Sequence, residues 1–200
     1  MARPKAFDQE KAMRNAMLLF WRKGYEASSV KDLEIATGLK TSSLYNAFGG
    51  KEQLFLQTLS YYGDFVITGR IKRYLLHGDP IQSIYDFFIS CFNDLREGQE
   101  GMACLLVNAS AELSTKNNNV RELVLRYDAL LEQAFENCVD RAQQQNQLSL
   151  SRTSNVIASQ LVITLKGLLL SSKAIRNNQH MIKECEKHLS YIIKESERAT

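Results

Sequence analysis

Apolar residues recur at three- and four-residue spacing along most of the chain, a period that predicts helices. The clearest instance is Val30 to Lys51, VKDLEIATGLKTSSLYNAFGGK, where two short apolar segments meet across Gly38. Val30, Leu33 and Ala36 form the inward stripe of the first helix. Ser29 ahead of it, with Asp32 three positions on, makes a short-armed capping box. Gly38 suits the positive φ that ends one helix and opens a tight turn. At about 100° per residue, a second helix starting at Thr41 turns Leu44, Ala47 and Phe48 to one side. Ser42 and Asn46 then face the opposite way, with Thr41 and Tyr45 on the flank and Lys40 just ahead. This outward face is small, uncharged and rich in hydrogen-bonding groups. It suits a helix-turn-helix whose second helix lies in a DNA groove, and it also fits an ordinary helical hairpin with a solvated face.

Similar apolar periods predict helices near 61–77, 80–97, 102–115, 119–145, 153–176 and 178–196, and strand-like alternation is absent, so the fold class is all-α. Asp79-Pro80 has the form of an N-cap and first helical residue after His77-Gly78. Asn117–Asn119 reads as a loop and Gln143–Gln145 as a frayed helix end. Near the C-terminus, Ile157, Leu161, Leu165, Leu168, Ser172 and Ile175 form a stripe beside Gly167, Ser171 and Ala174. The small residues permit close approach of another helix, and the stripe also fits an internal core.

Charge separates the two ends of the chain. Residues 1–60 carry nine Lys or Arg against six Asp or Glu, and the remaining 140 carry sixteen of each. The formal excess of +3 therefore sits with the helix-turn-helix, the sign expected for a phosphate-bearing partner. Lys51 follows Gly49-Gly50 at a helix start, where free N–H groups and an ammonium favour an anion; Glu52 offers charge compensation instead. Ala2-Arg3-Pro4-Lys5 reads either as a basic arm for a minor groove or as an untethered terminus. Two hundred residues with 44% hydrophobic content suffice for a sizeable core. The charged N-terminus lacks an apolar signal core, and Val156–Leu170, interrupted by Ser159, Gln160 and Lys166, is too short to cross a bilayer, so a cytoplasmic protein without a membrane partner is expected. Cys91, Cys104, Cys138 and Cys185 have no C-x-x-C spacing, which argues against a disulfide framework or a tight metal site. His77, His180 and His188 lie in no nucleophile, metal or phosphate-loop motif, so no enzyme, cofactor or metal is expected. Cys185 and His188, one turn apart, lack a second ligand pair.

The run SSVKDLEIATGLKTSSLYNAFGGKEQLF, preceded by AMLLFWRKGYEA, resembles the N-terminal domain of the tetracycline-repressor (TetR) family over roughly residues 8–60. The matching positions are Phe20, Gly24 and Tyr25, then Ser28, Ser29, Leu33 and Gly38, then Ser43, Tyr45, Phe48, Lys51 and Leu54. Ala47 departs from the bulky aromatic common there. The resemblance implies a three-helix DNA-binding domain over residues 1–50 and a helical effector-binding and dimerisation domain over 51–200. It implies that Thr41, Ser42 and Asn46 face bases while Ser29, Ser43, Tyr45 and Lys51 hold phosphates. Asn46 suits adenine, the Thr41 methyl suits thymine, Ser42 accepts either, and Lys40 suits a guanine edge or a phosphate. It also implies a homodimer on double-stranded operator DNA, its last two helices forming a four-helix bundle with their mates. Released by a small molecule, such a regulator acts as a repressor; an effector-independent DNA-binding protein is the alternative. Gly101–Asn108 resembles a G-C-L-L-V-N motif of one branch of the family, some of whose members sense oxidants or electrophiles through a thiol. That makes Cys104 a candidate effector or redox residue, although Ala103 replaces the usual glycine and no basic residue lies within four positions. A buried, inert cysteine is the other reading. Cys185, between Lys183, Lys187 and His188, has the more activating sequence neighbourhood and is expected on a surface helix. Tyr62, Phe65, Phe88, Phe92 and Tyr127 are candidates for lining a cavity or for plain core.

Overall fold

A computed structural model describes residues 8–93 and 102–197. The expected arm at residues 2–5 and Gly101 of the cysteine motif lie outside the described residues. Every described element is helical: α1 (Gln9–Lys23), α2 (Val30–Thr37), α3 (Thr41–Phe48), α4 (Lys51–Tyr62), α5 (Thr68–Tyr74), α6 (Pro80–Asn93), α7 (Leu105–Leu113), α8 (Asn118–Gln144), α9 (Ser154–Ile175) and α10 (Asn178–Glu197), with a π-helical turn, Gly63–Ile67, between α4 and α5.

Local signals fix the first four helices. Asp8 caps α1 by accepting from the Lys11 N–H at 3.0 Å. At α2, Ser29 and Asp32 form the expected capping box, and Gly38 ends the helix at φ 72°. The apolar residues of these helices then converge. Phe20 of α1 meets Phe55 of α4 edge-on, with ring centroids 5.0 Å apart. Leu33, Leu44, Phe48 and Leu54 are buried around them.

The segment expected as one helix near 61–77 instead continues α4 in helical register and widens into the π turn. Tyr127 of α8 packs against its first residue. The ring sits so close to Gly63 that a β-carbon there would lie 2.1 Å from Cζ. Tyr127 Oη donates to Asp64 Oδ1 at 2.8 Å, with the Ser60 carbonyl 3.1 Å away. Burial first, then the Asp64 contact, pushes the Tyr127 phenol up to about 12, so it stays a donor.

The C-terminal helices follow the sequence pattern with informative differences. Asp79 caps α6 through the Gln82 N–H at 2.8 Å, as Asp79-Pro80 predicts. Asn117 is the cap of α8, not the middle of a loop, and accepts from the Val120 N–H at 3.2 Å. Gln143 is buried, not frayed, because its amide donates to the Ser149 and Arg152 carbonyls at 2.9 and 2.8 Å and holds the α8–α9 turn. In α9, Ile157, Leu161, Leu165, Leu168 and Ser172 are all buried within the chain, so most of the stripe is core; Ile175 is 41% exposed. The opposite face carries Val156, Ile163 and Leu170, which are 50%, 68% and 50% exposed, beside exposed Gly167, Ser171 and Ala174. At 22 residues, α9 is longer than the apolar stretch read from sequence and reaches membrane-spanning length and composition. Its packing against α8 and α10 through the buried stripe gives it the character of a core helix.

Candidate nucleic-acid interface

The face expected to read DNA is built on α3. Leu44 and Phe48 are buried at 0% and 2%, fixing the rotation of the helix. Lys40, Thr41, Ser42, Ser43, Tyr45 and Asn46 are consequently all exposed, and Ala47 rests partly buried against the core. α3 has no local side-chain cap. Instead Glu34, reaching across from α2, accepts from the Thr41 N–H at 2.5 Å and from the Thr41 hydroxyl at 2.6 Å. The Thr41 side-chain hydrogen bond, aided by its backbone N–H, holds the Glu34 carboxyl below the usual carboxylate range. Two consequences follow. The Thr41 hydroxyl is committed to orienting α3, leaving its methyl for base contact, and the α3 N-terminus already holds a carboxylate where a phosphate would otherwise dock.

Ser29 is similarly committed. Its N–H and hydroxyl both donate to Asp32 Oδ2 at 2.7 Å. Lys23 pairs with the same oxygen at 2.6 Å, joining the end of α1 to the start of α2 and holding the Asp32 carboxyl well below its usual range. Both Ser29 donors therefore serve the fold, and a phosphate contact from Ser29 requires one to be exchanged. Ser28, in the resemblance motif, is buried and donates to the Gly24 carbonyl at 2.5 Å.

The start of α4 remains open to an anion. Gly50, at φ 108°, offers no capping side chain, and a β-carbon there would meet the Tyr45 ring at 3.1 Å. Tyr45 thus lies flat beside the first turn of α4, its side chain half exposed. Lys51 Nζ sits 4.2 Å from the centroid of the Tyr25 ring, a cation–π contact that holds the ammonium beside that turn. Glu52 is drawn away, accepting from Asn117 Nδ2 at 2.7 Å, so it serves the α4–α8 junction. Tyr45, Lys51 and the free N–H groups of α4 come together as one surface. Replacing Lys51 with alanine is expected to weaken every DNA sequence alike and reduce the slope of log affinity against log salt by about one. Filter binding at several salt concentrations checks this, and a loss confined to one sequence contradicts it.

Behind this face, α1, the end of α4, the π turn and α5 to α9 border a cavity of about 320 Å³. Trp21, Tyr62, Cys91, Cys104 and Tyr127 border it, whereas Phe88 and Phe92 are core and Phe65 is 64% exposed. Cys104 is buried at the start of α7, after Ala103 at φ 56°. That left-handed backbone is the one a glycine would hold without strain. Trp21 Nε1 lies within hydrogen-bonding distance of the Met102 and Ala103 carbonyls, at 3.1 and 3.0 Å, so the cysteine loop is tied to α1. Cys185 corrects its sequence reading: it is fully buried on the inner face of α10, and burial pushes its thiol up to about 12. Its basic neighbours Lys187 and His188 point outward. Sequence reasoning also missed Glu112 of α7, whose carboxylate accepts from the Tyr25 and Glu26 N–H groups at 3.1 and 2.7 Å. No local pattern announces a contact across that separation.

Comparison with known proteins bears on both regions. Residues 13–58 match the model of bacterial regulatory proteins of the tetR family, and residues 79–186 match a tetracyclin repressor-like C-terminal domain. The chain belongs to the TetR family. Among curated TetR-family relatives, it is 30% identical to the uncharacterized HTH-type transcriptional regulator YezE of Bacillus subtilis, across 74% of this chain and 77% of that protein. It is 27% identical to the HTH-type transcriptional repressor ComR of Escherichia coli, across 86% of this chain and 82% of that protein. The TetR-family fold is shared with a cysteine mutant of the regulator CifR complexed with 26 bp operator DNA, at TM-score 0.83, 23% identity and coverage of 94% of this chain and 98% of that one. Reduced NemR of Escherichia coli aligns at TM-score 0.79 and 18% identity, over 92% and 94% of the two chains.

Proposed function

We propose that this TetR-family chain is a homodimeric transcriptional repressor that reads a palindromic operator with α3 and releases it when a small molecule enters the cavity. The observation that carries the reading is the polar face Lys40–Asn46, held outward by buried Leu44 and Phe48. Asn46 contacts a base, Ser42 and the Thr41 methyl shape its surroundings, and Ser43, Tyr45 and Lys51 anchor phosphates. Lys40 adds a guanine or phosphate contact, and Ser29 joins them only by giving up a bond to Asp32. Two α3 helices set about 34–36 Å apart suit successive major grooves. The exposed Val156, Ile163 and Leu170 face, with Gly167 between, is the surface on which the second copy packs. A regulator of this kind works in the cytoplasm and has no catalytic task.

A random-oligonucleotide selection followed by a half-site mutation series tests the assignment. Asn46→Ala is expected to cost about 1–3 kcal/mol and relax discrimination at one base pair per half-site. Unchanged preference across the series removes Asn46 from the reading set. Binding that falls uniformly with salt and favours no sequence supports the effector-independent alternative. Because Cys104 borders the same cavity, thiol modification is a second route to release. Loss of operator binding under a thiol reagent in wild type, but not in Cys104→Ser, is its expected signature.

A further inference from the structure

Glu34 puts a negative charge on a surface that otherwise suits DNA, and only one of its two carboxylate oxygens is engaged. Oε1 takes both Thr41 donors, the N–H at 2.5 Å and the hydroxyl at 2.6 Å. Among the described residues, Oε2 accepts no hydrogen bond and Glu34 joins no ion pair. An ionised carboxylate presents about four acceptor sites, so roughly half of its capacity faces outward. The Thr41 bonds chiefly, then the charges of Lys31 and Lys40, outweigh burial and hold the carboxyl below its usual range, so it meets DNA as an anion. In the free protein water serves the second oxygen; against a duplex it must meet a phosphate or a base.

Position and chemistry narrow that partner. In a helix-turn-helix the N-terminal residues of the reading helix approach base edges in the major groove. The Glu34 carboxylate is bonded to the first residue of α3, so it arrives with that turn. A phosphate repels it. Guanine offers the acceptors O6 and N7 and thymine offers O4, which repel it as well. Adenine sets its amino donor beside the N7 acceptor, whereas the major-groove edge of cytosine presents the N4 donor alone. Resting on the operator-reading assignment above, we infer that Glu34 is a specificity-determining residue, its Oε2 accepting from N4 of one cytosine in each half-site. Lys40, exposed and next to Thr41, suits the guanine paired with that cytosine. The Thr41 bonds hold the carboxylate in place before DNA arrives, so little side-chain freedom is lost on contact. The same group caps one helix and reads a base.

Random-oligonucleotide selection on the intact protein, run in parallel for wild type, Glu34→Gln and Glu34→Ala, tests this. Wild type is expected to fix one cytosine per half-site, and replacing that C·G pair with T·A in the selected fragment should weaken binding about tenfold in a gel shift. Glu34→Gln keeps the oxygen that Thr41 needs and exchanges the other for an amino donor. Preference at that position should therefore turn from cytosine toward a base that presents an acceptor, while the other positions stay as in wild type. Glu34→Ala removes both cap and contact, so the position should become indifferent and affinity for every sequence should fall. Melting temperatures show whether each variant folds, and the cytosine in the wild-type site does not depend on them. A carboxylate that only caps α3 behaves otherwise: the same base survives at that position in Glu34→Gln, or all positions lose preference together. Either result overturns the assignment, as does a wild-type site with no fixed cytosine. If wild type selects an operator in which no position responds to Glu34, the reading of DNA by α3 stands without it; if wild type selects nothing, both fall.

Discussion

Ile163→Glu is expected to yield a folded monomer whose operator affinity is lower by about 10²- to 10⁴-fold. Ile163 is 68% exposed on the outer face of α9, so the charge costs the monomer little. In the proposed dimer the same position is buried against its symmetry mate, where two carboxylates meet in an apolar seam. The loss at DNA follows from valence. One α3 helix makes half the contacts, and it forfeits the high effective concentration that the second gains once the first is bound. Light scattering after size exclusion reports the mass, and a gel shift reports the affinity. A variant that remains dimeric and binds normally moves the interface elsewhere.

Gly63→Ala should destabilise the protein by about 3 kcal/mol or more, the upper part of the range for overpacking a core. Its new methyl group would stand 2.1 to 2.4 Å from three atoms of the Tyr127 ring, so either the ring or the backbone must move. For a chain of this size that corresponds to a drop in melting temperature of roughly 6–12 °C. Tyr127→Leu in the same chain should recover part of the loss, because the two positions share one contact and do not add. An unchanged melting temperature would show that the π turn tolerates a side chain and that the Tyr127 ring does not confine residue 63.

Much of the proposed DNA-reading face was legible in the sequence because its determinants are local. The Ser29–Asp32 box, the Gly38 turn and the inward placement of Leu44 and Phe48 depend on residues three to four apart, and helical periodicity displays such pairs directly. What escaped depends on partners distant in the chain or on a neighbour's shape. Glu34 caps α3 from the preceding helix, Lys51 lies over Tyr25, and Glu52 turns to Asn117. The Tyr127 ring from α8 leaves no room for a side chain at Gly63 in the π turn, a contact for which an isolated glycine gives no signal. The α9 stripe showed the other ambiguity of periodicity: it identifies an apolar face without saying which neighbour covers it. Cys185 was misjudged from flanking charges, which on a helix point away from a residue facing inward.

Glu112 makes the mechanical connection between the two halves explicit. A single carboxylate on α7 spans two consecutive backbone amides at the entrance to the reading motif, like a latch with one bolt. Charge-assisted bonds of this kind contribute about 1.5–3 kcal/mol each before solvent weakens them. Allosteric ligands typically shift an equilibrium by about 1–3 kcal/mol, so the fastening is of a size that the proposed effector release can undo. In the proposed switch, a substitution at this bolt retunes sensitivity without touching either the proposed DNA contacts or the cavity.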